Sequence, residues 1–261
     1  MPNLMYHFIG GDERLKGISI ESFRAQLDHL VRTHRREDIV LTFDHGTMDH
    51  IEIAAPELER RGLTGVFFIL TMVQEERRIP AIDKQRLLEV SLRRELAGML
   101  CDRLGMPYRP ADASEYLAVF RFYSPEERYL RYLRDKVVPA KDYDDFIDVL
   151  FRDAYGDEGA VAAKTYMGWD HVAQLHRRGH VIGSHTHYHY GDGTDFARSL
   201  NLLEARLRTR PRCVSYPNGW IRLSHDELRD LQIDAAYDSS ETHADGAYRI
   251  GRVDCNQYVV Q

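Results

Sequence analysis

At 261 residues the chain has the length of one large domain or two small ones, and an α/β barrel routinely reaches this size as a single unit. Hydrophobic residues at 43% and charged residues at 29% are globular values that give no reason to invoke disorder, while a formal charge of −6 gives no general attraction to nucleic acid or anionic membrane, both of which need a basic face. Three well-separated cysteines, Cys101, Cys213 and Cys255, without C-x-x-C spacing, exclude a thiolate zinc site and a disulfide framework.

The opening, "MPNLMYHFIGGDERLKG", has neither the charged leader nor the cleavage site of a signal peptide. No stretch approaches the ~18 consecutive apolar residues of a membrane span, so a cytoplasmic protein is expected. Short apolar runs then alternate with helical patterns, the signature of a mainly parallel sheet. "LMYHFI" is the first strand, followed by the helix "SIESFRAQLDHLVRT", with Phe23, Leu27 and Leu30 on one face and Ser19 and Ser22 as its start signal. "DIVLTF" is the second strand, "APELERRG" a helix closed by Gly62, and "GVFFIL" the third strand. From residue 71 to about 164 the chain is rich in Leu, Arg, Glu and Tyr at helical spacing, without strand runs. Its best helices are "KQRLLEVSLRRELAGML" and "SPEERYLRYLRDKV", the second with Ser124 as N-cap and Pro125 at the first helical position. The stretch reads as a helix-rich insertion in a single domain spanning 1–261, either packed beside a barrel or forming a lid over substrate. "GWDHVAQLHRRG" is the next helix, and "HVIGSH", "RCVSYP", "DAAYDS" and "YRIGRVD" are the remaining strands.

Two of these strand runs end in polar clusters: "LTFDHGTMDH", Leu41 to His50, and "GSHTHYHY", Gly183 to Tyr190. In extended conformation His185 and His189 would stand about 13 Å apart, too far for one ion with bonds near ~2.1 Å. A helical turn would bring them to ~5–6 Å between Cβ atoms, with His187 pointing elsewhere. The competing description is a solvated loop whose histidines happen to cluster. A catalytic zinc needs three protein donors and an open position. Active sites of such folds gather at the carboxyl ends of strands, which makes Asp44 and His45 the source of the third donor.

Together these segments resemble the NodB-homology polysaccharide deacetylases, carbohydrate esterase family four, over nearly the whole chain except the insertion. The family's T-F-D-D-G is here "TFDHG", Thr42 to Gly46, and its H-[ST]-x-x-H is "HTHYH", His185 to His189. "VSYPNG", Val214 to Gly219, is similar to the third motif, and "GWDHVAQLHRRGHVIGSHT" to the stretch that leads into the second. The resemblance implies a distorted (β/α) barrel of seven or eight strands and metal-dependent hydrolysis of an acetyl group on an N-acetylated amino sugar or related small glycan. It implies Asp44 as general base, His45 at the position of a ligand aspartate, and His185 and His189 as the other ligands of a divalent ion, zinc first. The main-chain N–H of Asn218, after Pro217, would hold the oxyanion, and Trp220 would stack on a sugar ring or pack in the core.

The departures from the pattern matter as much. His45 replaces an anionic ligand with a neutral one, which moves the preference from hard cations towards zinc, copper or nickel. Three readings stay open: His45 is the third ligand, Asp44 is itself the ligand, or the metal site is lost. No L-x-H motif lies near the C-terminus to supply an acid, and His243 in "SSETHADG" is a loop alternative. Ser215 stands where the family carries arginine. Asp254 in "GRVDC" either orients a catalytic group or pairs with Arg252 or Arg249. Asp49 and His50 flank the first motif, and His171, His176 and His180 are expected on the surface. Two other functions compete with deacetylation: a barrel that binds a sugar or partner without turnover, and another metal-assisted amide hydrolysis such as deformylation. The sequence does not fix N- against O-deacetylation or the oligomeric state.

Overall fold

A computed structural model of the chain describes residues 3–10, 17–92, 95–119, 123–240 and 246–258. In chain order the elements are β1 (Leu4–Tyr6), α1 (Ile20–Thr33), β2 (Leu41–Phe43), α2 (Ala55–Arg60), β3 (Gly65–Ile69), α3 (Thr71–Glu76), α4 (Ala81–Leu92), α5 (Leu96–Leu104) and α6 (Pro125–Tyr132). They continue with α7 (Ala140–Tyr155), α8 (Glu158–Thr165), α9 (Trp169–Arg177), β4 (Val181–Ser184), α10 (Gly193–Leu207), β5 (Cys213–Ser215), α11 (His225–Asp230), β6 (Ala235–Tyr237) and β7 (Val253–Asp254). Two compact units result, one of residues 1–78 with 159–261, the other of 79–158. None of the described helices is long and apolar enough to cross a membrane.

The first unit is built on one curled seven-stranded sheet, ordered β6-β5-β4-β3-β2-β1-β7 with every pairing parallel, and surrounded by helices: a distorted (β/α) barrel. Each strand lies within an apolar run expected from the sequence, but most are only two to four residues long. Register explains the core. Tyr6 pairs with Phe43 and Phe43 with Phe67, so their rings stack across β1, β2 and β3 with centroids 5.2 and 4.7 Å apart. Side chains of successive strand residues face opposite ways, so the residues that follow this ladder, His7 and Asp44, leave the aromatic layer at the strands' carboxyl ends. Gly183 in β4 pairs with Phe68. A Cβ there would lie 2.5 Å from the Phe68 ring, so only glycine allows the two strands this approach.

Helix starts follow the sequence signals. The Ser19 side chain accepts from the Ser22 N–H at the head of α1, which buries Phe23, Leu27 and Leu30. In the second unit, Ser124 and Glu127 form a reciprocal capping box before Pro125. The continuous helix expected over 84–100 is instead divided between α4, ending at Leu92, and α5, beginning at Leu96. This unit holds its own buried layer, including Leu88, Leu100, Leu130, Ile147 and Phe151. Buried polar groups there are paired: Arg131 with Glu89 at 2.8 Å, and Lys84 with Asp148 and Glu158 at 2.6 and 2.9 Å. Residues 71–78 and 159–164 cluster with the first unit.

Candidate active site

The loops after β2 and β4 bring three imidazoles together. The ligand atoms of His45, His185 and His189 all lie within 4.8 Å of one another, and this is the one such group of His, Cys, Asp or Glu found among the described residues. Their ring centroids form a nearly equilateral triangle of 4.9, 5.2 and 5.0 Å. Nitrogens ~2.1 Å from a tetrahedral ion stand roughly 3.4 Å from each other, so modest ring rotations would place this set on one centre. The donors fit a borderline cation such as zinc.

Backbone geometry at these positions is unusual. His45, Thr186, His189 and Asn218 all have positive φ, at 75°, 70°, 68° and 55°. Left-handed backbone at non-glycine residues is uncommon and clusters at functional sites. The helical turn expected at 185–189 is absent. His185 leaves β4 in irregular backbone, and two left-handed residues within a bend, Thr186 and His189, turn the chain back. Side chains hold that bend: Ser184 Oγ accepts from the Thr186 N–H at 3.0 Å, and Thr186 Oγ1 from the His189 N–H at 2.9 Å. His187 points away as expected, its Nδ1 bonded to Thr71 Oγ1 and its Nε2 to Glu76.

The partners of His185 set its tautomer. Its Nδ1 lies 3.2 Å from the Ser215 carbonyl, which can only accept, so Nδ1 carries the proton and Nε2 is left to act as ligand. The same nitrogen contacts Ser215 Oγ, whose hydroxyl donates to Asp44 Oδ1 at 3.3 Å. Burial, partly offset by Asp44, pushes His185 down to about 3, so the ring is neutral at neutral pH, as ligation requires.

Asp44 is buried at 2% exposure and gripped by Arg252, the residue before β7. Arg252 donates Nη1–H to Oδ1 at 2.8 Å and Nη2–H to Oδ2 at 2.9 Å, while its Nε–H donates to the Asp238 carbonyl at 2.8 Å. Burial alone would raise the Asp44 carboxyl, but the Arg252 guanidinium, helped by His185, overcomes it and holds the group well below the usual carboxylate range. Both oxygens are thus engaged by a bidentate fork, an arrangement suited to an ionised base beside the histidines.

Other sequence candidates fall in different places. Pro217 and Asn218 form a tight turn after β5, and Pro217 is buried. A Cβ on Gly191 would lie 3.3 Å from Pro217 Cδ, so this turn abuts the loop behind His189. Trp220 is 37% exposed with Arg222 over its ring at 5.0 Å, which excludes core packing. His50 donates Nε2–H to the His7 carbonyl at 2.6 Å and packs between Phe43 and Phe67, and Asp49 accepts from the Ile9 N–H. Arg252 pairs with Asp44 and Arg249 with Asp238, while Asp254 accepts from Asn256. Of the three histidines expected on the surface, His180 is buried and accepts from the Gly65 N–H. His243 lies outside the described residues.

Three participants were not singled out from the sequence as site residues: Arg252, Ser215 and His7. The His7 ring stands 5.3 Å from that of His45. A signal for it existed, since "LMYHFI" is a third strand run that carries a histidine.

The fold and site together define a (β/α) barrel with three histidines and an arginine-locked aspartate at the carboxyl ends of its strands. Solved deacetylases share this fold. A Streptococcus pyogenes deacetylase, PplD, solved with acetate, aligns over 97% of this chain and 91% of its own, with a TM-score of 0.57 and 13% identity. IcaB from Ammonifex degensii aligns over 96% and 89%, with a TM-score of 0.54 and 17% identity. A de-N-acetylase from Aggregatibacter actinomycetemcomitans aligns over 98% and 95%, with a TM-score of 0.57 and 13% identity. No protein-family model and no curated protein matches the sequence.

Proposed function

We propose that the chain hydrolyses the acetamido group of an N-acetylated amino sugar, in a saccharide or related small glycan, at a divalent metal centre held by His45, His185 and His189, with zinc the preferred ion. The observation that carries this reading is the convergence of three imidazoles within 4.8 Å beside a carboxylate aligned by Arg252. Deacetylases with the same fold, one of them a de-N-acetylase, support the choice of reaction. A divalent ion bound there would supply Lewis-acid polarisation of the acetyl carbonyl and of the attacking water. Asp44, ionised and fixed in orientation, takes the proton of that water. The main-chain N–H of Asn218 donates to the oxygen that becomes negative as the carbonyl turns tetrahedral. When the C–N bond breaks, His7 gives a proton to the departing amine. Acetate and the free amino sugar leave, and the exposed face of Trp220 offers the sugar ring a stacking surface.

Acetate release from an N-acetylated chitooligosaccharide by the zinc-loaded full chain tests the proposal. Asp44→Asn is expected to lower turnover by ~10²–10⁴ while zinc binding persists, and loss of zinc in that variant would instead make Asp44 a ligand. Formate release from an N-formylated substrate without acetate release would replace deacetylation by deformylation. Absence of both activities in zinc-loaded protein would contradict the enzyme reading.

A further inference from the structure

The loop that carries His185 and His189 is organised by a residue six positions beyond His189, at the head of α10. Asp195 is buried at 4% exposure. Its Oδ1 accepts from the main-chain N–H groups of His187 and Tyr188 at 3.0 and 2.6 Å. Its Oδ2 accepts from those of Tyr190 and Gly191 at 2.7 and 3.1 Å. One carboxylate thus collects four amide hydrogens from both sides of His189, and Thr186 Oγ1 collects the fifth, from His189 itself. These are charge-assisted bonds, stronger than neutral ones, in a segment whose left-handed residues would otherwise relax.

We propose that Asp195, assisted by Thr186, is a positioning residue that folds residues 185–191 before any ion arrives, so that His185 and His189 already face one point. The inference rests on the reading of those histidines as ligands. Its first consequence concerns the free protein: the loop is ordered by the carboxylate and not by the metal. Its second is that metal affinity depends on a side chain that touches no ligand atom, as it does for outer partners of many metal sites.

The test compares the metal-free full chain with Asp195→Asn. Either orientation of the amide sets an NH₂ group against two main-chain donors, so two of the four bonds become repulsive contacts. Amide hydrogen exchange over 186–191 is expected to accelerate at least tenfold in the variant, with the β4 amides unchanged. Zinc affinity, measured by competition with a chromophoric chelator, is expected to fall about 10–100-fold, and the visible spectrum of the cobalt-substituted protein to change. Asp192→Ala is the control for a purely structural role: Asp192 caps the same helix by accepting from the Asp195 N–H but holds no loop amide in this way. It is expected to leave loop exchange and zinc affinity as in the parent. Unchanged exchange and affinity in Asp195→Asn overturn the proposal. Should that variant not fold, Thr186→Ala decides on the same readouts, faster exchange at His189 supporting the clamp and parental exchange overturning it. A parent chain that binds no zinc would contradict the proposed function, while the exchange comparison would still decide the role of Asp195.

Discussion

Asp44 and Arg252 are 208 positions apart in the chain yet share two hydrogen bonds in the interior. Breaking a buried pair from one side leaves an uncompensated charge and costs about 3–5 kcal/mol, so Arg252→Ala is expected to lose both stability and activity. Arg252→Lys is the sharper variant. It keeps the charge but gives up the planar fork, and kcat is expected to fall at least tenfold with zinc affinity unchanged. Parallel steady-state kinetics and zinc titration check this, and a parental kcat would mean that alignment of Asp44 is not limiting. Ser215→Ala removes the hydroxyl between His185 and Asp44 but leaves the Ser215 carbonyl as a partner for Nδ1. Zinc affinity in that variant is expected to drop about tenfold, the lower end for outer partners of metal ligands, and titration of the two proteins side by side measures it. Local sequence could name Asp44 and the histidines because each sits in a short motif. Nothing near "GRVDC" says that Arg252 reaches across to the first motif, since that pairing exists only once the sheet has brought β7 beside β1.

At the scale of elements, the apolar runs located all seven strands because buried parallel strands carry their signal in composition. Their ends were less legible. "LMYHFI" reads as six strand residues, but β1 ends at Tyr6, where the chain turns from ladder to site. Helix starts were legible for the opposite reason: a cap is a local event, as at Ser19 and Ser124. At 185–189 the i,i+4 spacing suggests a helical turn because that is the only local route to convergence, whereas the bend's amides are held by Asp195, in the next element. Ser124→Ala is expected to cost about 1 kcal/mol through loss of the cap, visible as a lowered Tm, and an unchanged Tm would mean that the capping box does not limit the stability of its unit.

For the molecule as a whole, a formal charge of −6 says nothing of how charge is arranged. Glu57, 2% exposed, is met by Arg24, Arg60 and Arg61 at 2.7, 2.6 and 2.7 Å. Burial opposes its ionisation, but hydrogen bonds from these three arginines outweigh burial and hold the carboxyl down to about 2, from an ordinary 4.5. The folded value lies below the unfolded one, so this stabilisation is complete above about pH 4.5 and fades as pH falls towards 2. It amounts to on the order of 2 kcal/mol, allowing for the exposure of Arg24 and Arg60. Glu57→Gln is expected to be less stable at pH 7 and to lose less between pH 5 and 3, as followed by urea unfolding at each pH. Parallel pH curves would assign the acid sensitivity elsewhere. The central claim concerns three histidines drawn from two strand ends, and zinc titration of the metal-free full chain beside its His45→Ala variant tests it most directly. One zinc per chain, with affinity at least tenfold weaker in the variant, is the predicted result; equal affinity in the two proteins would contradict the three-histidine centre.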